Sequence, residues 1–301
     1  LPPPPLPPPG LLLATTPPPA LASPRTNSYA VGVSTLTTFQ KSAINQEFLE
    51  RCVAALEGAV TAADAPAAVR LLLADAASGG VDGSAALFEL NRGANKSLAP
   101  FVAKLKDVKA KIDAESRPGQ AGVSWGDLTF LAARSAVKQS FVAAKVARFE
   151  ARGVEPNSGA IQAISSPFPV QLGRKDAAAA GPPRELPAPN ASPAEIKEWF
   201  AGIGTPPKGS NRPLIFARPA LILWGAASAD GAAEEARLAA GDAELASAKA
   251  FYDRSRLTAS RTDYEVDAAE AVLRLASARS GAVIDEAAYL HPVTVEQVKI
   301  T

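Results

Sequence analysis

Val69-Arg70-Leu71-Leu72-Leu73-Ala74-Asp75-Ala76, followed by Gly79-Gly80-Val81-Asp82-Gly83-Ser84, is the stretch whose reading decides the fold. Three leucines in a row make the octet apolar nearly all round, which is the pattern of a short helix buried inside a domain. Arg70 and Ala74 are four residues apart, so they share one face and point into the same space. The glycines that follow break the helix into a loop.

Outward from this helix the spacing of apolar residues remains helical. Phe48, Cys52, Val53, Leu56 and Val60 form a stripe over residues 45–62. Cys52 falls on it, which marks a buried structural thiol rather than a nucleophile. Leu98, Phe101, Val102, Leu105, Val108 and Ile112 line one side of a helix expected over 94–114, with Lys104, Lys106, Lys109 and Lys111 as its solvated face. Ser124-Trp125-Gly126-Asp127, Ser192-Pro193-Ala194-Glu195 and Thr262 with Glu265 each carry the capping-box signature of a helix start. The first of these helices runs on past Phe141. A polar, irregular stretch spans 153–190, and further helices are expected over 219–228, 231–252 and 262–276. Strand-type alternation is almost absent, so the fold class read from the sequence is all-α.

Composition narrows the function. The chain has 301 residues, with 31 basic and 30 acidic side chains, a balance that gives no sign of a nucleic-acid partner. Cys52 is the sole cysteine, so no internal disulfide, CxxC pair or Cys/His metal cluster can be built. No stretch supplies the ~20 unbroken apolar residues of a membrane-spanning helix. There is no methionine, even at position 1, and the chain reads as a processed or trimmed product. Leu11-Leu12-Leu13 through Ala20-Leu21-Ala22 faintly resembles the end of a bacterial-type or thylakoid transfer signal with an A-x-A site. The prolines at 17–19 argue instead for an extended segment. Residues 1–24 are largely a proline-rich run that favours polyproline II, either a flexible tail or an arm laid along a partner surface. The expected organisation is therefore an extended arm over 1–40 and a helical domain over 41–301.

Several separate blocks resemble the class I haem peroxidases, the ascorbate peroxidase and cytochrome c peroxidase group, and they occur in that family's order. The octet at Val69 resembles the distal helix. Gly79-Gly80 with Gly83-Ser84 and Glu89 resembles the loop after it, and Ala94-Asn95 with Leu98 the start of the next helix. Val123-Ser124-Trp125-Gly126-Asp127-Leu128 with Leu131-Ala132 is similar to S-Y-A-D-L-x-x-L-A. Leu172-Gly173-Arg174-Lys175-Asp176 and Arg184-Glu185-Leu186-Pro187 resemble G-R-x-D and G-R-L-P. Thr262-Asp263-Tyr264 matches the T-D motif whose Asp orients the proximal His. The resemblance covers roughly two-thirds of the chain and implies a two-lobed helical peroxidase fold.

The family's working residues are degenerate on this alignment. Arg70 stands, but Leu73 replaces the distal aromatic and Ala74 the distal His. The best proximal counterpart is Leu221-Ile222-Leu223-Trp224-Gly225-Ala226-Ala227-Ser228, which puts Ala227 where the iron-ligating His belongs. A haem peroxidase needs an axial ligand and a distal group to move the peroxide proton. The one histidine, His291, lies outside every matched block and before Pro292, where a surface turn is expected. Tyr252 or Tyr264 as ligand has no motif behind it. Arg70 is then expected to pair with Asp75 or Glu89, and Asp263 to lose the imidazole it would orient. The interval 229–261 offers no counterpart of the family's Arg-bearing substrate loop or proximal Trp.

The resemblance thus implies a haem-free, non-enzymatic branch of the family with no cofactor and no metal. Its expected place is the chloroplast thylakoid lumen. Its expected partners are subunits of a photosystem, photosystem II first, engaged through the 1–40 arm. The alternative is a structural subunit of another organelle membrane assembly, mitochondrial or photosystem I, and the least favoured reading is an active peroxidase with unusual ligation. An empty porphyrin-sized space would cost stability at roughly 24 cal/mol per Å³, so the old pocket is expected to be collapsed or filled.

Overall fold

Pro66 in the first turn and Gly79 and Gly80 after the last one set the limits of helix α2, Ala65–Ala77, which lies within the helical unit of residues 36–291. The computed structural model describes residues 26–165, 169–205, 211–258, 262–278 and 284–298. Leu71, Leu72 and Leu73 on α2 are each wholly buried, and burying one such side chain contributes about 1.5–3 kcal/mol. The helix rests against α5, Trp125–Glu150, and also touches α3 (Ser84–Phe88), α8 (Ala217–Ala226) and α11 (Asp263–Ala276).

The remaining helices in residues 36–291 are α1 (Thr38–Glu57), α4 (Ala99–Ala114), α6 (Ser158–Ile164), α7 (Pro193–Ala201), α9 (Gly231–Gly241) and α10 (Ala243–Ser255). The fold is all-α in this unit. Helices α1, α4 and α5 pack on one another, with α5 carrying them against α2, while α8 to α11 pack together and reach α2 through α8 and α11, and α5 through α11. No single helix among the described residues is long and apolar enough to cross a membrane.

Several boundaries differ from the sequence reading, each for a local reason. Helix α1 starts at Thr38 rather than near Asn45, because Thr37 and Gln40 close a reciprocal capping box. Residues Gly93–Leu98 form a 3-10 turn, and the α-helix begins only at Ala99, with Pro100 in its first turn. The stretch 153–190 contains the short helix α6, capped by Asn157. The helix expected over 231–252 is broken at Asp242, whose extended backbone and carboxylate cap α10 through the amides of Glu244 and Leu245.

The second unit contains a strand pair, where the sequence showed almost no alternation. Thr26–Val31 (β1) runs antiparallel to Val293–Val298 (β2), with Tyr29 opposite Val295 and Ala30 opposite Thr294. Two short strands far apart in the chain leave too little pattern for periodicity to detect. Residues 1–25 of the expected arm lie outside the described residues.

Candidate functional site

Arg70 and Leu73 on α2 face Ala227, just past the end of α8, across a cavity of about 410 Å³. The cavity lies where the sequence motifs place a vestigial porphyrin site. It is half-open and is neither collapsed nor filled, contrary to the expectation of closure. What keeps it open is a braced wall. Trp224 is almost fully buried, and its indole N–H donates to Glu234 Oε1 at 2.7 Å. Arg237 grips the same carboxylate through Nε at 2.9 Å and a terminal nitrogen at 2.7 Å. That clamp, with the Trp224 bond, holds the Glu234 carboxyl below its ordinary range. A saturated carboxylate fixed by two partners cannot fold inward to fill the space.

The degenerate positions fall as follows. Leu73 and Ala227 border the cavity, so a leucine and a methyl group stand where the family has an aromatic ring and the axial imidazole. Ala74 is buried on α2 at the position aligned with the distal His. Arg70 is half-buried and lines the cavity. It does not pair with Asp75 or Glu89, because both are already committed. Asp75 accepts from the Gly83 and Ala85 amides and the Ser84 hydroxyl. Glu89 accepts from the Ser78 hydroxyl and the Gly181 amide and pairs with Arg92. No hydrogen bond, ion pair or ring contact joins Arg70 to another described residue.

Haem, the group the family implies, meets none of its usual axial ligands, His, Cys, Met or Tyr, among the described residues lining this cavity. The side chains that could have substituted are committed elsewhere. Tyr252 is wholly buried and donates to Asp267 at 2.7 Å, and burial pushes its phenol well above the ordinary range. Tyr264 donates to Glu235 at 3.1 Å and is shifted the same way by burial. Cys52 is buried on α1, its thiol pushed up to about 12 chiefly by burial. His291 is buried rather than a surface turn residue, and it does not line the cavity. Asp263, the family's imidazole-orienting carboxylate, is exposed at the start of α11.

Behind α8 lies a carboxylate that motif matching missed. Glu235 on α9 is buried against Gly225, where an added Cβ would come within 2.9 Å of its Cγ. It accepts from both terminal nitrogens of Arg256 at 2.8 Å, and Arg256 lies 3.6 Å over the Tyr264 ring. The signal available in the sequence was only a pair of acids, Glu234-Glu235, on an otherwise alanine-rich helix.

Comparison with known proteins agrees with this geometry. A family model described as peroxidase matches residues 46–205. The chain is 35% identical over 222 residues to the thylakoid lumenal 29 kDa protein, chloroplastic, of Solanum lycopersicum, covering 71% of this chain and 60% of that protein. It is 31% identical over 243 residues to the protein of the same name from Arabidopsis thaliana, covering 76% of this chain and 65% of the relative. The chain therefore spans less than two-thirds of the length of either curated relative. The crystal structure of the TL29 protein from Arabidopsis thaliana superposes with a TM-score of 0.69 at 28% identity, covering 84% of this chain and 98% of that one. With its motif order, its helical fold and the matched family model in agreement, the chain belongs to the peroxidase family.

Proposed function

We propose that this protein is a haem-free, non-enzymatic peroxidase-fold protein of the chloroplast thylakoid lumen, acting as an auxiliary component bound to photosynthetic membrane complexes. One observation carries the loss of catalysis: the two imidazole positions are Ala74 and Ala227, and no His, Cys, Met or Tyr among the described residues lines the cavity in their place. Both curated relatives are named as lumenal and chloroplastic, which supports the compartment. Residues 1–40 are the proposed docking segment, chiefly through the proline-rich run over 1–24, because a pre-extended chain loses little entropy on binding; β1 and the start of α1 occupy the remainder.

Two measurements test the reading. Purified protein titrated with haemin gives no Soret band beyond that of free haemin, and no peroxide-dependent turnover above it. A stoichiometric Soret band with turnover that falls in Arg70→Gln or Tyr252→Phe overturns the non-enzymatic assignment. Separately, the protein co-isolates with photosystem II-enriched membranes and loses that association when the proline-rich residues 1–24 are removed, leaving β1 and α1 intact. Retention on the membranes without them overturns the arm.

A further inference from the structure

We propose that the cavity between Arg70 and Ala227 binds a small amphipathic carboxylate, an apolar body bearing one carboxylate group. The site rests on the haem-free reading above, since a bound porphyrin would occupy the same space. Its volume of about 410 Å³ falls within the range of small-molecule pockets, roughly 300–1,000 Å³. Leu73, Leu186, Pro189, Trp224 and Ala227 supply an apolar lining. Such walls favour a hydrophobic body over a hydrated inorganic ion.

The unpaired donors of Arg70 select the head group. Of the charged side chains lining the cavity, Arg237 and Glu234 neutralise each other. The Asp230 carboxylate caps the start of α9, accepting from the Ala233 amide at 3.0 Å, and keeps its charge. Arg70 alone has no partner among the described residues. It projects from a helix whose neighbouring residues Val69 and Leu71 are wholly buried, so its base is held still. A guanidinium presents a planar fork of donors that matches a carboxylate bidentately. A neutral ligand over Arg70 would cover those donors without satisfying them, which costs affinity. A phosphate dianion would bring two charges to a lining on which the unpaired Arg70 already shares the cavity with the Asp230 carboxylate, so a monoanion held by Arg70 is favoured over it.

The test uses the full chain, checked to be free of a Soret band, with benzoate as probe and benzamide and inorganic phosphate as comparisons. Calorimetry gives the affinity, and the Trp224 indole N–H resonance reports the location. Benzoate is expected to bind saturably and shift that resonance, with benzamide and phosphate weaker by roughly tenfold or more, the scale of a charge-assisted hydrogen bond. Arg70→Gln is expected to weaken benzoate by a similar factor, and Arg70→Lys to weaken it less. Ala227→Trp, whose indole narrows the cavity, serves as a second variant and is expected to weaken benzoate by at least as much as Arg70→Gln. No saturable binding, equal binding of phosphate, or unchanged affinity in a folded Arg70→Gln overturns the site. A Soret band in the purified protein defeats the haem-free reading instead, so the two failures are distinguishable.

Discussion

Asp127 on α5 and Arg174 in the loop that follows α6 form an ion pair at 2.8 Å with both side chains all but removed from water. The pair joins two motifs that lie 47 residues apart. Asp127 also accepts from the Gly173 and Arg174 amides and from the Tyr289 hydroxyl at 2.6 Å. In return, Asp176 accepts from the Trp125 amide at 2.5 Å and the Gly126 amide at 3.4 Å. The S-W-G-D and G-R-K-D segments thus exchange carboxylates, each satisfying the other's free backbone donors. Removing one partner strands a buried charge, so Asp127→Ala should cost about 3–5 kcal/mol. Urea unfolding of the two chains measures it, and a loss under about 1 kcal/mol would show that the exchange is not what holds the loop on α5.

The same loop makes a second demand on sequence. Gly173 has a φ of +112°, and a Cβ there would collide with the Asp285 carbonyl oxygen, whose own amide donates to Gly173 O at 3.0 Å. Gly153 has a φ of +68° with nothing within 4 Å of its would-be Cβ. Gly153→Ala should therefore cost only the left-handed strain, about 1–2 kcal/mol. Gly173→Ala should cost clearly more, since the collision adds to comparable strain. Equal midpoints for the two variants in denaturant would remove the close approach as the reason for a glycine at 173.

Asp75 makes stability depend on pH. It is wholly buried, and burial pushes its carboxyl up to about 7, with neighbouring Asp82 acting in the same direction. The Ala85 and Gly83 amides and the Ser84 hydroxyl pull the other way without cancelling it. An unfolded aspartate titrates near 3.9. Between about 4 and 7 the folded state keeps a proton that the unfolded state has lost, so this group's contribution to stability falls as pH rises through that window. The slope attributable to it is at most about 1.4 kcal/mol per pH unit. Asp75→Asn should flatten the stability profile between those limits, whatever its constant cost. An unchanged slope would mean that Asp75 keeps its charge when buried.

The parts of the molecule legible in the sequence were those written in local pattern. The leucine run of α2, the glycine break after it and the alanines at 74 and 227 all carry their meaning within a few residues. The unread parts depend on partners far along the chain. Lys145 sits among other charges on α5 and gave no hint of burial, yet it is almost fully enclosed and pairs with Glu265 at 2.7 Å. That contact explains why Thr262 caps α11 without the reciprocal bond expected from Glu265. Asp127 deserts the Ser124 box in the same way, and only Ser192 and Glu195 close theirs in full. The capping signature located all three helix starts, but tertiary pairing decided where two of the acids went.

Glu235 and Arg256 offer the sharpest asymmetry. The Glu235 side chain is only 3% exposed, whereas that of Arg256 is 30% exposed and also bonds Asp253. Arg256→Met leaves a carboxylate enclosed between Gly225 and Tyr264 with a single phenol donor. Glu235→Gln leaves a guanidinium that water and Asp253 still reach. The first should destabilise by about 3–5 kcal/mol and the second by clearly less, because an enclosed unpaired charge is the expensive product. A double-mutant cycle with both changes separates the pair's coupling from lost packing over the Tyr264 ring. If the two single variants lose equal stability, Glu235 is reached by water and the support behind α8 is packing rather than charge. The structure instead has that carboxylate enclosed, bracing the helix end where Ala227 meets the cavity.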